Sequence, residues 1–198
     1  MKTAISIDDG LLQEADETAR QMGLSRSRLI ALAVGDFLQR QRQEQMLLRL
    51  NRVYASGPEA AETRLVKGIK AKAHPRGEGP LVSEIRQGKV YWLDFGPKAG
   101  PVPADRHPCV VVQNDVFNRS AIATSVVCLI TSNLSRANAP GNVLLKKGEA
   151  NLPKASVVNV SQILTVDKGD LEECIGEVSA AAAGAVRVGL QMLFDTLR

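Results

Sequence analysis

The chain opens on an alternation. In Lys2-Thr3-Ala4-Ile5-Ser6-Ile7 the apolar Ile5 and Ile7 alternate with short or basic neighbours, the period-two signature of a half-buried strand, and Asp8-Asp9-Gly10 breaks it. The period then lengthens. Leu11, Leu12, Ala15, Ala19 and Met22 recur along one helical face, and Gly23 supplies the stop. Ser25 is a good N-cap for a second helix, whose apolar stripe is Leu29, Ile30, Ala33, Val34, Phe37 and Leu38. Met46, Leu47, Leu50 and Val53 continue the helical spacing until Ser56-Gly57-Pro58 ends it. One short strand leaves its backbone hydrogen bonds unmade and two small helices cannot close a core, so this pattern predicts a dimer.

Residues 59–80 hold few large apolar side chains, carry Lys67, Lys70, Lys72 and Arg76, and finish in Gly77-Glu78-Gly79-Pro80. Such a stretch has no core of its own and reads as a linker, at least partly disordered when free. Short apolar segments separated by turns follow. Val90 to Phe95 alternates, Cys109 to Val112 and Ser125 to Ile130 are nearly continuous, and Asn142 to Leu145 and Ser156 to Val160 come after them. This spacing predicts a small, strongly curved sheet or barrel, with a packing helix over 180–197. The expected fold class is α+β in three parts: 1–45 a dimerisation module, 46–80 a connecting segment, and 81–198 a barrel.

Composition adds little to this division. A chain of 198 residues, 44% of them hydrophobic, is enough for one ordinary core or two small ones. The net charge of +4 and pI of 9.1 suit a polyanionic partner without demanding one. Cys109, Cys128 and Cys174 are odd in number and sit in apolar stretches, so they read as reduced core residues, and no pair has zinc-site spacing. No metal and no cofactor is expected. Without a signal-peptide pattern or a membrane-length apolar run, the expectation is a soluble, cytoplasmic protein.

The first forty residues resemble the ribbon-helix-helix family through the 2–7 alternation, the Met22-Gly23-Leu24-Ser25 turn and the helix after it. In that family two copies pair their first strands into a ribbon that enters the DNA major groove. The resemblance implies that Lys2, Ala4 and Ser6 face base edges while Ile5 and Ile7 pack inward. It also implies that the amides near Ser25 and Arg26 take a DNA phosphate at the helix N-terminus. A strand-helix-helix dimerisation unit that touches no DNA remains the alternative.

The segment from Glu84 onward resembles the MazF/PemK toxins. The residues that carry the likeness are Arg86-Gln87-Gly88-Lys89-Val90-Tyr91-Trp92-Leu93-Asp94-Phe95, His107-Pro108-Cys109-Val110-Val111-Val112-Gln113-Asn114-Asp115, and Leu129-Ile130-Thr131-Ser132-Asn133. After these come Leu152-Pro153-Lys154-Ala155-Ser156-Val157-Val158, Ser161-Gln162-Ile163 and Thr165-Val166-Asp167-Lys168. The resemblance implies an SH3-like, CcdB/MazF-like barrel that dimerises and cuts single-stranded RNA without metal. Residues 46–72 would wrap the toxin as an antitoxin segment, acting in cis or in trans, and the ribbon would bind operator DNA. Thr131 matches the family's catalytic threonine, and Gln162 a glutamine at the RNA face, beside which Ser132 and Asn133 also face RNA.

One departure bears on the chemistry. Relatives carry Gly-Ser-Glu-Gln before the second strand and an arginine directly before its proline; here stand Gly100-Pro101-Val102-Pro103 and His107-Pro108, with Arg106 one place earlier. Imidazoles ordinarily titrate at about 6.5, so His107 is suited to proton transfer, with Arg106 as phosphate clamp. Alternatively, Arg106 takes the arginine's place through a shifted turn, although alternation points it away from His107. Two readings of another kind also stand: a repressor whose degenerate barrel serves only assembly, and a barrel that poisons a protein target.

Overall fold

The computed structural model describes residues 5–55, 85–95, 106–171 and 173–195. It divides into two compact units, 1–46 and 47–198. In the first unit Asp8 caps α1 (Asp9–Gln21), its carboxylate accepting from the Gly10 and Leu11 amides at 2.9 and 3.3 Å. Gly23 turns the chain at φ +65°, a conformation costly for other residues. At the start of α2 (Arg26–Val53), Ser25 Oγ accepts from the Arg28 amide at 3.3 Å. The Arg26 guanidinium grips the Asp16 carboxylate of α1 with two hydrogen bonds.

The expected first strand is not formed where the chain is described. Residues 5–8 have no strand partner, because a ribbon ladder needs a second chain, and Ile5 and Ser6 are exposed. Lys2 and Ala4, like the linker expected at 59–80, lie outside the described residues. The apolar stripe of α2 has no cover: none of its residues is buried, and Phe37 is 60% exposed.

The second unit is a six-stranded antiparallel sheet. Its strands are β1 (Lys89–Asp94), β2 (Arg106–Val111), β3 (Thr124–Thr131), β4 (Val143–Leu145), β5 (Ser156–Asp167) and β6 (Cys174–Glu177), in the order β4-β5-β3-β2-β1-β6. A short helix, α3 (Asp115–Asn118), links β2 to β3, and α4 (Ala180–Phe194) closes the chain. Alternation sends successive side chains to opposite faces, and each face is covered. Tyr91, Leu93, Cys109, Val111, Val127 and Leu129 form one apolar cluster. Val90, Val110, Cys128, Ile130 and Val158 join Val186 of α4 in the other.

Sheet curvature draws the two edges together. After β4 the chain turns through Gly148, Ala150 and Asn151, all at positive φ, and the turn lies against β6. The Asn151 amide donates to the Ile175 carbonyl at 2.8 Å, and a Cβ on Gly176 would meet the Ala150 carbonyl oxygen at 2.7 Å. The result is a curled half-barrel. β6 carries no clear alternation and was not expected from the sequence; β5 runs on to Asp167, beyond the expected end at Val160. Cys109 and Cys128 are buried as expected, but Cys174, on the β6 edge, is exposed.

α4 begins at Ser179, whose Oγ caps the Ala182 amide at 3.3 Å. The Ser179 amide donates to Glu149 at 2.6 Å, which holds that carboxyl below its ordinary range. The helix then passes so near the 139–142 turn that a Cβ on Gly189 would lie 2.0 Å from the Gly141 carbonyl oxygen. Since the obstacle is backbone, Gly189→Ala must push α4 off β5. We expect a loss of about 1–3 kcal/mol, read as a lower urea midpoint with unchanged slope.

Candidate active site

Several motif residues hold the sheet together. Gln87 donates from its backbone amide to Asp115 Oδ1 at 2.6 Å and from its side chain to the Val112 carbonyl at 2.8 Å. Asn114 caps α3 through the Val116 amide at 2.9 Å. Gln113 donates to Asn118 Oδ1 at 3.0 Å, and Ser125 Oγ to the same oxygen at 2.9 Å. Lys168 is buried and spans the gap beneath α3, its Nζ donating to the Asn118 and Ser120 carbonyls at 2.6 and 3.1 Å.

Against this frame the site residues separate by face. The β2–β3 register pairs Cys109 with Leu129 through to Val111 with Val127. Pro108 has no N–H with which to prolong the ladder, so the strands part at their next residues. Two residues further along each strand are His107 and Thr131. The register, carried two residues past its last pair, sets them against one another on the face of Cys109, Leu129 and Leu93, the last being the β1 partner of His107. Both are half-buried, and the His107 ring meets Phe95 edge-on at 6.1 Å.

Thr131 Oγ1 accepts from the Asn133 amide at 3.2 Å, leaving the hydroxyl proton to be donated outward. Asn133 Oδ1 is engaged in the following turn, accepting from the Ser135 amide and hydroxyl at 3.1 and 2.7 Å. Ser132 beside it is exposed. The structure joins Thr131 to the 132–133 turn through the Asn133 amide, and strand register puts His107 on the same face.

Gln162 reaches the same face by an irregularity. β5 pairs Ile163 with Cys128 but Asn159 with Leu129, so Val160, Ser161 and Gln162 are looped out. Asn159, opposite Leu129, is a diagonal neighbour of Thr131 and donates to Gln162 Oε1 at 3.1 Å. The sequence reading passed over Asn159; its signal was an asparagine in the apolar run Val157-Val158-Asn159-Val160, where a buried amide must find partners.

Arg106 lies apart from this group. It pairs with Asp94, its guanidinium stacks on Trp92 at 5.0 Å, and Nη2 meets Glu173 at 3.3 Å, all on the opposite face. The expected clamp beside His107 is therefore not assembled, because alternation turns neighbouring residues to opposite sides. Cys109 and Cys128 offer no nucleophile, since burial pushes both thiols up to about 12. Among the described residues no group of three or more His, Cys, Asp or Glu is placed to hold a metal, and no helix is long and apolar enough to cross a membrane. Residues 96–105, where the departing Gly100-Pro101-Val102-Pro103 falls, lie outside the described residues.

A curled antiparallel half-barrel closed by a C-terminal helix defines the class of protein to which the fold belongs. The family described as the PemK-like, MazF-like toxin of type II toxin-antitoxin systems matches residues 86–194, and the chain belongs to it. The endoribonucleases MazF2 of Mycobacterium bovis and MazF6 of Mycobacterium tuberculosis are each 43% identical over 111 residues, 56% of this chain and 97% of the relative. Endoribonuclease MazF of Staphylococcus saprophyticus is 36% identical over 89 residues, 45% of this chain and 73% of the relative.

Burial holds the Lys168 ammonium below the ordinary lysine range. The folded state thus binds this proton less tightly than the unfolded one. The contribution is most favourable above the unfolded value and is lost as pH falls through the lower folded value. Lys168→Met leaves two carbonyls unpaired and should cost about 1–3 kcal/mol. Urea titrations of both proteins on the alkaline side should show a rising difference with pH, and a constant difference would refute the assignment.

Proposed function

We propose that this chain is a toxin-antitoxin fusion whose barrel is a sequence-selective endoribonuclease of single-stranded RNA. The observation that carries this reading is the placement of His107 opposite Thr131 at the parted ends of β2 and β3, in a chain 43% identical to relatives named endoribonucleases. In the proposed reaction the ribose 2'-oxygen attacks the adjacent phosphorus while His107 takes the hydroxyl proton. The bond to the 5'-oxygen breaks and that oxygen receives the proton, leaving a 2',3'-cyclic phosphate. The Thr131 hydroxyl donates to a phosphate oxygen as charge develops there. Both steps are proton transfers and hydrogen bonding, so the reading assigns no metal and no cofactor. Ser132, Asn133 and Gln162 flank the cleft as RNA contacts, and Arg106 braces the Trp92 edge instead of clamping the phosphate.

The remaining parts of the reading concern assembly. The barrel, SH3-like in this account, acts as a homodimer. Residues 1–45 form a ribbon-helix-helix dimer that binds operator DNA through Lys2, Ala4, Ser6 and the Ser25–Arg26 helix start. The uncovered stripe on α2 supports pairing with a second copy, since an isolated amphipathic helix gains its stability from such burial. Residues 46–80 neutralise the toxin and connect it, and the fused protein works in the cytoplasm. Over half of this chain spans nearly the whole length of relatives that are separate proteins, which supports independent folding of the C-terminal segment.

RNA cleavage by the segment from Ser83 onward tests the chemistry. His107→Ala should lower the rate at least about a hundredfold, whereas Arg106→Ala should change it less than about tenfold. Failure of the folded segment to cut any of a broad set of RNAs would move the reading to a repressor with an inert barrel. For inhibition, a single nick near Pro80 should leave the protein silent until residues 46–72 are also degraded. A tether of about 20 residues spans on the order of 25 Å, so inhibition in cis is sterically feasible. Full activity after the nick alone would sink this part.

A further inference from the structure

The three residues looped out of β5 leave backbone donors without ladder partners, and two asparagines take them up. Asn142 Oδ1 accepts from the Val160 amide at 2.9 Å, while its own amide donates to the Arg136 carbonyl at 2.8 Å. Asn159 Oδ1 accepts from the Ser161 amide at 3.2 Å and the Ser161 hydroxyl at 2.7 Å. A backbone N–H can only donate, so the oxygen of Asn159 is fixed toward Ser161 and its NH2 must point the other way. That NH2 meets Gln162 at 3.1 Å, which obliges Gln162 to present its oxygen inward. The NH2 of Gln162 is then the end turned away from Asn159.

We propose that Asn159 is a positioning residue that locks the Gln162 amide with its NH2 outward, so that this position reads an oxygen acceptor on the RNA. The inference rests on the ribonuclease reading above and adds the direction of its hydrogen bond. Ser161 is exposed and Gln162 half-buried, but the Asn159 amide that joins them is 6% exposed, and turning it over would set its NH2 against the Ser161 N–H, so it cannot flip cheaply. The acceptor is a keto oxygen of uracil or guanine, or a phosphate oxygen; all accept, and an inverted amide would meet any of them oxygen to oxygen.

Asn159→Asp keeps the acceptor for Ser161 but removes the donor to Gln162. The Gln162 amide should then invert and present its oxygen. Gln162→Glu achieves the same outward acceptor with Asn159 intact, and it serves if the buried aspartate impairs folding. In the full-length protein, the Gln162 NH2 proton resonances should shift and their solvent exchange slow in Asn159→Asp. In the segment from Ser83 onward, sequencing the ends cut from a randomised RNA pool reads the consequence. If Gln162 reads a base, both variants should move preference at one position from uracil or guanine toward cytosine or adenine, by about tenfold or more. If it reads a phosphate, both should lose cleavage uniformly across sequences by a similar factor. Unaltered Gln162 resonances in Asn159→Asp, or unchanged rates and preferences in both folded variants, would overturn the inference. A wild-type segment that cuts no RNA would instead overturn the ribonuclease reading while the resonance measurement still judges the amide.

Discussion

β5 serves two halves of the sheet, and it does so only because Val160, Ser161 and Gln162 stand outside its pairing with β3. Three is an odd number, so the loop reverses which residues of β5 face which side: Val158 packs with Ile130 before it, and Leu164 with the Tyr91 cluster after it. A strand that simply continued would turn half of its apolar residues to the wrong face. The break is held by two asparagine oxygens on its backbone amides and by α4 passing close to Gly141. An unpaired buried amide costs about 1–3 kcal/mol, so those side chains are what make the reversal tolerable. The same loop brings Gln162 onto Asn159, the diagonal neighbour of Thr131.

The second strand shows a similar economy. Pro108 stops the ladder to β3 and opens a mouth, while strand alternation decides what lines it. His107 turns to the cleft and Arg106 to Trp92 and Glu173, so adjacent basic residues acquire unrelated surroundings. If His107 takes the arginine's place, as proposed, the type of help available changes. It can carry a proton, whereas a guanidinium stays charged and can only pair.

Much of the fold was legible in the sequence because alternation, helical period and caps are local. Five of the six strands and both long helices of the N-terminal half follow from such patterns at Val90, Val110, Val127, Leu145, Val158 and Phe37. β2 was read only from Cys109, because Pro108 hides the strand's first residues, and β6 was missed because a short edge strand containing Gly176 takes its place from contact with Ala150. The candidate site was proposed from the sequence in part. Thr131 and His107 were singled out from motif and position, but Asn159 gains its place from a partner three residues on across an irregular loop, which no period reveals. The first strand was read from an alternation that one chain cannot pair.

Motif strength and chemical identity are therefore separate matters. Most of the polar residues that make the resemblance specific are occupied inside the frame: Gln87 on Asp115, Asn114 on α3, Gln113 on Asn118, Lys168 on two carbonyls. Lys168 is buried and Gln113 half-buried, while Gln87 and Asn114 are exposed; substituting any of them unpairs a hydrogen-bonding partner in the frame, so they report that the barrel is built. The residues facing the parted mouth hold contacts of their own, His107 on Phe95 and Thr131 on the Asn133 amide, but they stand at the end of the ladder and not within that frame. On the proposed reading, chemistry and selectivity would change there, through His107 and through the direction of one amide at Gln162, while the frame that earned the resemblance stays as it is.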